Sequence, residues 1–143
     1  MSDAAQIRAQ KSADAMWAGD AASQNMGMRI ENIAPGKAVL SLRVQQEHSN
    51  GHGICHGGII FSLADSAFAF ACNSYNEQVV GQHATISYIR PAKIGDTLIA
   101  TALELSKTGR SGIYDVTVTR KDGETIAEFR GFSRVVPGQH FSE

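Results

Sequence analysis

The feature that most constrains this chain is a stretch of mostly apolar residues at positions 57–73. Two glycines open it, and the remainder is rich in alanine, leucine, phenylalanine and isoleucine without proline, which predicts a helix. Its polar side chains fall close to one stripe at helical spacing, and these are Ser62, Asp65, Ser66 and Asn73. Because a helix that is apolar around the rest of its circumference is buried on most sides, the remaining chain is expected to enclose it.

Outside this helix the apolar residues change to strand-like alternation. Residues 27–33 and 39–44 have strand character, with a Pro-Gly turn signal between them. After the helix, four further strands are predicted over residues 84–89, 96–105, 112–119 and 125–136. Short turns that contain glycine join them, as in antiparallel sheets. Strands segregated from one core helix predict an α+β fold, with a long antiparallel sheet wrapped around one central helix.

Length and composition fit one domain. The chain has 143 residues, of which 43% are hydrophobic. Area scaling allows about two-thirds of the extended-chain surface to be buried, which excludes a disordered chain. We therefore expect a single domain over residues 1–143. Residues 1–20 are expected to form a helical extension that docks loosely through weak anchors such as Ile7 and Trp17, and residues 137–143 a loose tail.

Charge and hydropathy remove several classes of function. Thirteen basic and fourteen acidic residues give a net charge of −1, so the chain lacks the basic footprint of a general nucleic-acid binder. Its longest apolar stretch, residues 59–72, is interrupted by polar residues and is shorter than the roughly 20 residues of a membrane span. The N-terminus has no secretory-signal pattern, and two cysteines are too few for a disulfide scaffold. We expect a cytoplasmic protein with reduced thiols and without nucleic-acid or membrane partners.

Two features of the predicted helix can carry chemistry. At its start, Gly57 and Gly58 leave unpaired N–H groups accessible, and these can stabilise an oxyanion. Alternatively, the two glycines only let the helix begin tightly against the sheet. Asp65 lies in mid-helix among apolar neighbours, where a carboxylate needs a partner or a task. The alternative for Asp65 is a solvated stripe with Ser62 and Ser66.

The spacing of these two features favours a site between two chains. Eight residues separate Gly57 from Asp65, which corresponds to about 12 Å along a helix axis. The tilt of side chains toward the helix N-terminus narrows this by only a few ångströms. A single substrate carbonyl can hardly contact both the Gly57 N–H and the Asp65 carboxylate of the same chain. A two-fold dimer, in contrast, brings Asp65 of one chain opposite Gly57 of the other.

The loop before the helix contains several potential zinc ligands: His48, His52, Cys55 and His56. Their spacing matches no closed zinc pattern, so we expect a polar loop and no metal. His56 directly precedes Gly57 and is the best site candidate of this loop, with a local helix cap as its alternative. Asn50 precedes a glycine and is either a site residue or part of a turn.

Residues 50–68 resemble the hotdog-fold thioesterases, and more narrowly the phenylacetate-pathway thioesterase subfamily. As in that family, an Asn-Gly loop precedes His-Gly-Gly, and an aspartate lies eight residues after the first glycine of the pair. The matching residues are Asn50, His56, Gly57, Gly58 and Asp65. Segments 71–73, 87–91 and 95–96 are also similar, so the resemblance extends from about residue 27 to residue 136.

The resemblance implies hydrolysis of acyl-CoA thioesters without metal or organic cofactor. It also implies a homo-oligomer, a dimer or a dimer of dimers, with active sites between subunits. Asp65 is implied as general base or nucleophile, and the Gly57 N–H as the group that binds the carbonyl oxygen. Asn50 and His56 match positions that help to place water or substrate. The implied substrate is phenylacetyl-CoA or a ring-hydroxylated relative, with activity on other small acyl-CoAs.

Further residues are expected to bind this substrate. The candidates are Gly58, Phe61, Ser66, Arg90 and Arg110. Phe61 can stack on an aromatic acyl group, and the two arginines can contact the CoA phosphates. Two alternatives stay open: a hotdog acyl thioester dehydratase or hydratase, which needs a catalytic histidine with a carboxylate, and a non-catalytic acyl-CoA-binding protein.

Overall fold

Three helices and six strands make up residues 3–143, which is the part of the chain that the computed structural model describes. The helices are α1 (Asp3–Ala18), α2 (Ala21–Asn25) and α3 (Gly57–Cys72), and a 3-10 turn covers Gln46–His48. The strands are β1 (Met28–Ala34), β2 (Lys37–Arg43), β3 (Gln78–Tyr88), β4 (Thr97–Thr108), β5 (Ser111–Arg120) and β6 (Thr125–Val136). The first two residues of the expected N-terminal extension lie outside the described range.

The strands form one sheet in the order β1-β2-β4-β5-β6-β3, and every neighbouring pair is antiparallel. Helix α3 contacts all six strands. The expected α+β architecture, a long antiparallel sheet around one central helix, is therefore confirmed. Strands β1 and β3 are the two edges of the sheet.

Helix α3 packs against the sheet, and the end of α1 contacts it from another side. On the sheet side, the Phe68 ring lies against Tyr114 and Phe129, at centroid distances of 5.8 and 5.9 Å. Gly131 makes room for this ring, because a Cβ at that position would lie 2.7 Å from it. On the other side, Phe70 packs against Trp17 of α1 at 6.1 Å. The apolar side chains on most sides of α3 are thereby buried, whereas Gly58 and Asp65 stay exposed.

Helix α1 docks partly through the expected anchors, since Ala13 is buried and Trp17 packs against Phe70. Ile7 is 54% exposed, so its prediction as an anchor is wrong. The buried residues of α1 are the small ones Ala9, Ser12 and Ala13, and the Ser12 hydroxyl donates to the Arg8 carbonyl. Small side chains let the helix backbone approach its neighbours closely, which an apolar pattern alone does not reveal.

Strand β3 begins six residues earlier than predicted. Its first half contains a glycine and polar residues, and it is a strand because it pairs with the end of β6, from Gln78 opposite Val136 onward. A register shift between Gly81 and His83 marks an irregularity in the pairing. Helix α2 was not predicted either, and its N-cap is Asp20, whose side chain accepts from the Ser23 N–H.

The C-terminal residues make specific contacts where a loose tail was expected. The buried Asn76 side chain donates to the Phe141 carbonyl at 3.0 Å and accepts from the His140 N–H at 2.9 Å. Glu143 forms an ion pair with Arg8 of α1 at 2.9 Å. A buried amide needs hydrogen-bond partners, and the C-terminal residues supply them to the Asn76 side chain. No helix within residues 3–143 is long and apolar enough to cross a membrane.

Candidate active site

The start of α3 leaves a single backbone donor unused. His56 is the N-cap, and its Nδ1 accepts from the Gly58 N–H at 2.8 Å. The N–H groups of Ile59 and Ile60 both donate to the His56 carbonyl, at 2.9 and 3.3 Å. Of the four N–H groups that a helix start exposes, only that of Gly57 has no acceptor among residues 3–143.

These contacts assign different structural roles to His56, Gly57 and Gly58. His56 takes the capping part, which sequence analysis left as the alternative. The Gly58 N–H donates to that capping side chain and is therefore not free for a ligand. The peptide unit that carries the Gly57 N–H includes the His56 carbonyl, which accepts two hydrogen bonds. Those bonds polarise the peptide and strengthen its N–H as a donor.

Asn50 closes the loop in front of this turn. Its Oδ1 accepts from the N–H groups of His52 and Ile54, at 2.9 and 3.3 Å, and its own N–H donates to the Ile54 carbonyl. The turn interpretation of Asn50 is therefore correct. Its side-chain NH₂ has no acceptor within residues 3–143, and Asn50 lines the same cavity as Gly57.

That cavity has a volume of about 280 Å³. Its lining includes Asn50, Gly57, Ile60, Tyr88, Ile89 and Arg90. The Tyr88 hydroxyl donates to the Gly57 carbonyl at 3.0 Å, and a Cβ on Gly57 would lie 3.3 Å from the Tyr88 ring. From sequence, Tyr88 is a candidate pocket aromatic in segment 87–91 of the resemblance, and its contact with Gly57 was not predicted. Its contact explains why a residue without a side chain fits at position 57.

The two arginines expected at the CoA phosphates lie at opposite ends of the sheet. Arg90 lines the Gly57 cavity, pairs with Glu124 at 3.2 Å and donates to the Thr125 carbonyl. Arg110 lies in the β4–β5 turn, where its carbonyl accepts from the Val135 N–H near the start of β3. Gly57 contacts the far end of β3, so one chain does not bring Arg110 to this cavity.

Asp65 opens into a second cavity, of about 350 Å³, between α3 and the segment around α2. Its carboxylate makes no hydrogen bond or ion pair with any group in residues 3–143, although α3 around it is apolar. Desolvation by the neighbouring structure raises the pKa of Asp65, even though the side chain still reaches solvent. A carboxylate with a raised pKa and no protein partner is suited to accept a proton.

Two other predicted residues line this second cavity. The Phe61 ring packs edge-on against Phe129 at 5.4 Å and remains partly exposed beside Asp65. Ser66 shares a hydrogen bond of 2.8 Å with the Ser23 hydroxyl, so its hydroxyl ties α3 to α2. Gly57 and Asp65 do not line a common cavity within one chain, in agreement with the separation expected from their spacing.

His48 and the two cysteines make local hydrogen bonds. The His48 Nδ1 accepts from the Gln45 N–H at 2.9 Å. Burial and the nearby Asp96 charge raise the pKa of Cys55 to about 11, so its thiol is protonated at neutral pH. Burial raises the pKa of Cys72 to about 12. Within residues 3–143, no three His, Cys, Asp or Glu side chains are grouped so that they hold a metal ion.

Comparison with known proteins gives consistent matches. Residues 52–127 match the family described as the thioesterase superfamily. The acyl-coenzyme A thioesterase PaaI of Escherichia coli K12 is 40% identical over 131 residues, which cover 92% of this chain and 94% of that protein. Human acyl-coenzyme A thioesterase 13 is 34% identical over 104 residues, which cover 71% of this chain and 74% of that protein.

Among solved structures, that of the E. coli PaaI protein from the phenylacetic acid degradation operon has a TM-score of 0.92 at 40% identity. The match covers 94% of this chain and 97% of the solved one. It extends through most of the chain and so includes elements beyond residues 52–127. The architecture around α3 is therefore the hotdog fold that the sequence predicts.

The cap at the start of α3 should be measurable in stability. His56→Ala removes the acceptor of the Gly58 N–H and should cost about 1 kcal/mol in the free energy of unfolding. His56→Asn keeps a side-chain acceptor at the N-cap and should recover most of that loss. Urea unfolding of the three proteins measures both effects. Equal stability of His56→Ala and the unsubstituted protein would contradict the capping part of His56.

Proposed function

The chain belongs to the thioesterase superfamily and is an acyl-CoA thioesterase, and from this premise we propose that it hydrolyses phenylacetyl-CoA or ring-hydroxylated phenylacetyl-CoA to the free acid and CoA. The observation that carries the site assignment is the lone unused N–H of Gly57, which opens into a cavity beside Asn50 and Arg90. The proposed setting is cytoplasmic degradation of phenylacetate.

Two observations support an aromatic acyl group. The solved E. coli relative is described as part of the phenylacetic acid degradation operon. In this chain, the lining of the cavity beside Asp65 includes Phe61, Met26 and Met28, whose side chains are suited to contact an aryl ring. We expect kcat/KM for phenylacetyl-CoA to exceed that for palmitoyl-CoA, with lower activity on acetyl- and hexanoyl-CoA. Preference for palmitoyl-CoA by tenfold or more would contradict the proposed substrate.

The proposed reaction uses the two helix features on opposite sides of the thioester carbonyl. Asp65 takes a proton from water, whose oxygen adds to the carbonyl carbon, or attacks that carbon itself to form an anhydride that water then opens. In both routes the carbonyl oxygen becomes an oxyanion, which the polarised Gly57 N–H stabilises. The C–S bond then breaks, and CoA leaves as a thiolate that takes up a proton.

The residues around Gly57 support this step without reacting. His56 and Tyr88 hold the turn, through the cap to Gly58 and the hydrogen bond to the Gly57 carbonyl. The Asn50 NH₂ is the second free donor that lines this cavity and is proposed to orient water or the thioester. Arg90 is proposed to meet a CoA phosphate.

A complete site is proposed to need two copies of the chain. Strand β3 is an eleven-residue edge with β6 as its neighbour on one side, and such an edge can pair with another strand. Asp65 lines a small cavity with Gly81, Gln82 and His83 of β3, whereas Gly57 contacts Tyr88 at the end of that strand. Antiparallel β3–β3 pairing about a two-fold axis near residue 85 sets residue 82 of one chain opposite residue 88 of the other. Each Asp65 then approaches the partner's Gly57.

The two alternatives find less support. A dehydratase or hydratase needs a histidine that works with a carboxylate, and no histidine within residues 3–143 is hydrogen-bonded to one. A non-catalytic binding protein would bind acyl-CoA without releasing free CoA thiol, so the thiol assay below separates it from an enzyme. We propose a homo-oligomer, with a dimer of dimers as its larger form.

Asp65→Asn should lower kcat for phenylacetyl-CoA roughly 10²- to 10⁴-fold, the range of general acid–base catalysis. KM should change little, because asparagine is nearly isosteric. Release of CoA thiol, followed with a thiol-reactive dye, measures both constants. Asp14→Asn on α1 is the matched control and should keep normal turnover. Near-normal turnover of Asp65→Asn would remove Asp65 from the mechanism.

The pH profile adds a check on the same residue. Because the ionised form of Asp65 is the active one, kcat/KM should be lost as pH falls through the pKa of Asp65. Desolvation raises this pKa, so the loss should begin above the ordinary pKa of an aspartate. Any residual activity of Asp65→Asn should not show this loss of kcat/KM at low pH.

Mixing two inactive variants should restore activity. Gly57→Pro deletes the unused N–H of this turn, and proline is accepted at the first position of a helix after a residue with extended ψ, such as His56 at 133°. The Tyr88 ring must shift by a few tenths of an ångström, because a Cβ at position 57 lies 3.3 Å from it. A heterodimer with Asp65→Asn then contains one intact site. Co-refolding equal amounts should yield about a quarter of the unsubstituted activity by random pairing. Each variant alone is the control, and a fully active monomer in light scattering would contradict the two-chain site.

A further inference from the structure

We propose that α2 and the turn after it form the end wall of the acyl site, and that Met26 in this wall limits the length of the acyl group. This inference rests on the proposed acyl-CoA thioesterase function and names the residue that selects among acyl groups. The wall is defined as residues 20–28. It favours arylacetyl and short acyl groups over extended chains.

The position of the wall follows from the cavity beside Asp65. This cavity lies between α3 and residues 20–28, and its lining combines the apolar side chains of Phe61, Met26 and Met28 with polar ones. The polar residues beside Asp65 are Asp20, Ser23, Ser62 and Ser66. The other cavity beside Asp65 is lined by Gly81, Gln82 and His83, on the strand proposed to pair with the partner. The cavity at Gly57 contains Arg90, a cation suited to CoA. An acyl group attached to a carbonyl at Asp65 is therefore left with the cavity that the wall closes.

The wall is fastened to α3 next to Asp65. The Ser66 hydroxyl shares a hydrogen bond of 2.8 Å with that of Ser23, and the Ser23 hydroxyl donates to Asp20 Oδ2 at 2.7 Å. Asp20 also caps α2 by accepting from the Ser23 N–H. A helix of five residues is not stable alone, so these bonds and the packing of Met26 and Met28 fix its position. The depth of the cavity is therefore set beside the proposed reacting group.

Met26 is the residue of the wall best placed to set that depth. Its side chain is half-buried, packs against the core and lines the cavity. Met28 also lines it but is 96% buried, at 4% exposure, so its loss would act mainly on the fold. The wall lies outside residues 52–127, the range that matches the thioesterase superfamily. A change in the wall can therefore alter selectivity without touching Gly57 or Asp65.

Met26→Ala tests the wall by deepening the cavity. The measurement is the ratio of kcat/KM for decanoyl-CoA to that for phenylacetyl-CoA, which should rise at least about tenfold, since one apolar contact discriminates by 10- to 200-fold. Met16→Ala is the matched control, because Met16 is also a half-buried methionine packed on the core but does not line this cavity. Its ratio should stay unchanged. An unchanged ratio in folded Met26→Ala would overturn the proposal.

Two further variants keep the test decisive. If Met26→Ala does not fold, Met26→Val replaces it as the test. This smaller change should raise the same ratio by a smaller factor. Met26→Trp should fill the cavity and lower kcat/KM for phenylacetyl-CoA at least tenfold while acetyl-CoA is retained. A loss that is equal for both substrates would contradict the wall.

A binding measurement separates this proposal from the proposed function. Calorimetry with Asp65→Asn, with and without Met26→Ala, gives Kd for decanoyl- and phenylacetyl-CoA without turnover. If the unsubstituted protein hydrolyses neither ester but the ratio of Kd values shifts tenfold, the wall stands and the enzymatic function fails. If hydrolysis occurs and neither ratio shifts, the function stands and the wall fails.

Discussion

The structure depends on burying a helix that is apolar on nearly every side while leaving two of its polar groups accessible. Leu63, Ala64 and Ala67 of α3 have no exposed surface, and all six strands contact the helix. A flat sheet covers only one face of a helix, so the sheet must curve around it, and Trp17 of α1 covers Phe70 beyond the sheet. The openings that this enclosure leaves, at the start of α3 and beside Asp65, are the two cavities of the candidate site.

At the start of α3, the candidate site follows from which backbone N–H groups have hydrogen-bond acceptors. Every helix begins with four N–H groups that have no partner within it. Here His56 satisfies those of Gly58 and Ile59 with its side chain and carbonyl, its own N–H donates to the His48 carbonyl, and the Gly57 N–H remains. That donor belongs to a peptide whose carbonyl accepts two hydrogen bonds, and Tyr88 packs against the glycine. The same contacts that begin the helix therefore hold in place the one donor that we propose for the oxyanion.

The edge strand β3 and the wall of residues 20–28 give the proposed site its two boundaries. Asp65 lies between them, with β3 residues on one side and the α2 segment on the other. One boundary is proposed to be completed by a second chain and the other by hydrogen bonds within the chain, from Ser66 to Ser23. Chemistry and acyl selection thereby depend on separate parts of the molecule, which allows one to vary without the other.

Local pattern determined much of this protein from its sequence. Helix α3 occupies Gly57–Cys72 against an expected 57–73, and β6 coincides with residues 125–136, because both have strong periodicity. The separation of Gly57 from Asp65 also follows from helix geometry alone. Only the tertiary structure decided the first half of β3, the contacts of the C-terminal tail, the hydrogen bond from Tyr88 to Gly57 and the remote position of Arg110. These depend on partners distant along the chain, and a local period carries no information about which distant residue will supply the missing hydrogen bond.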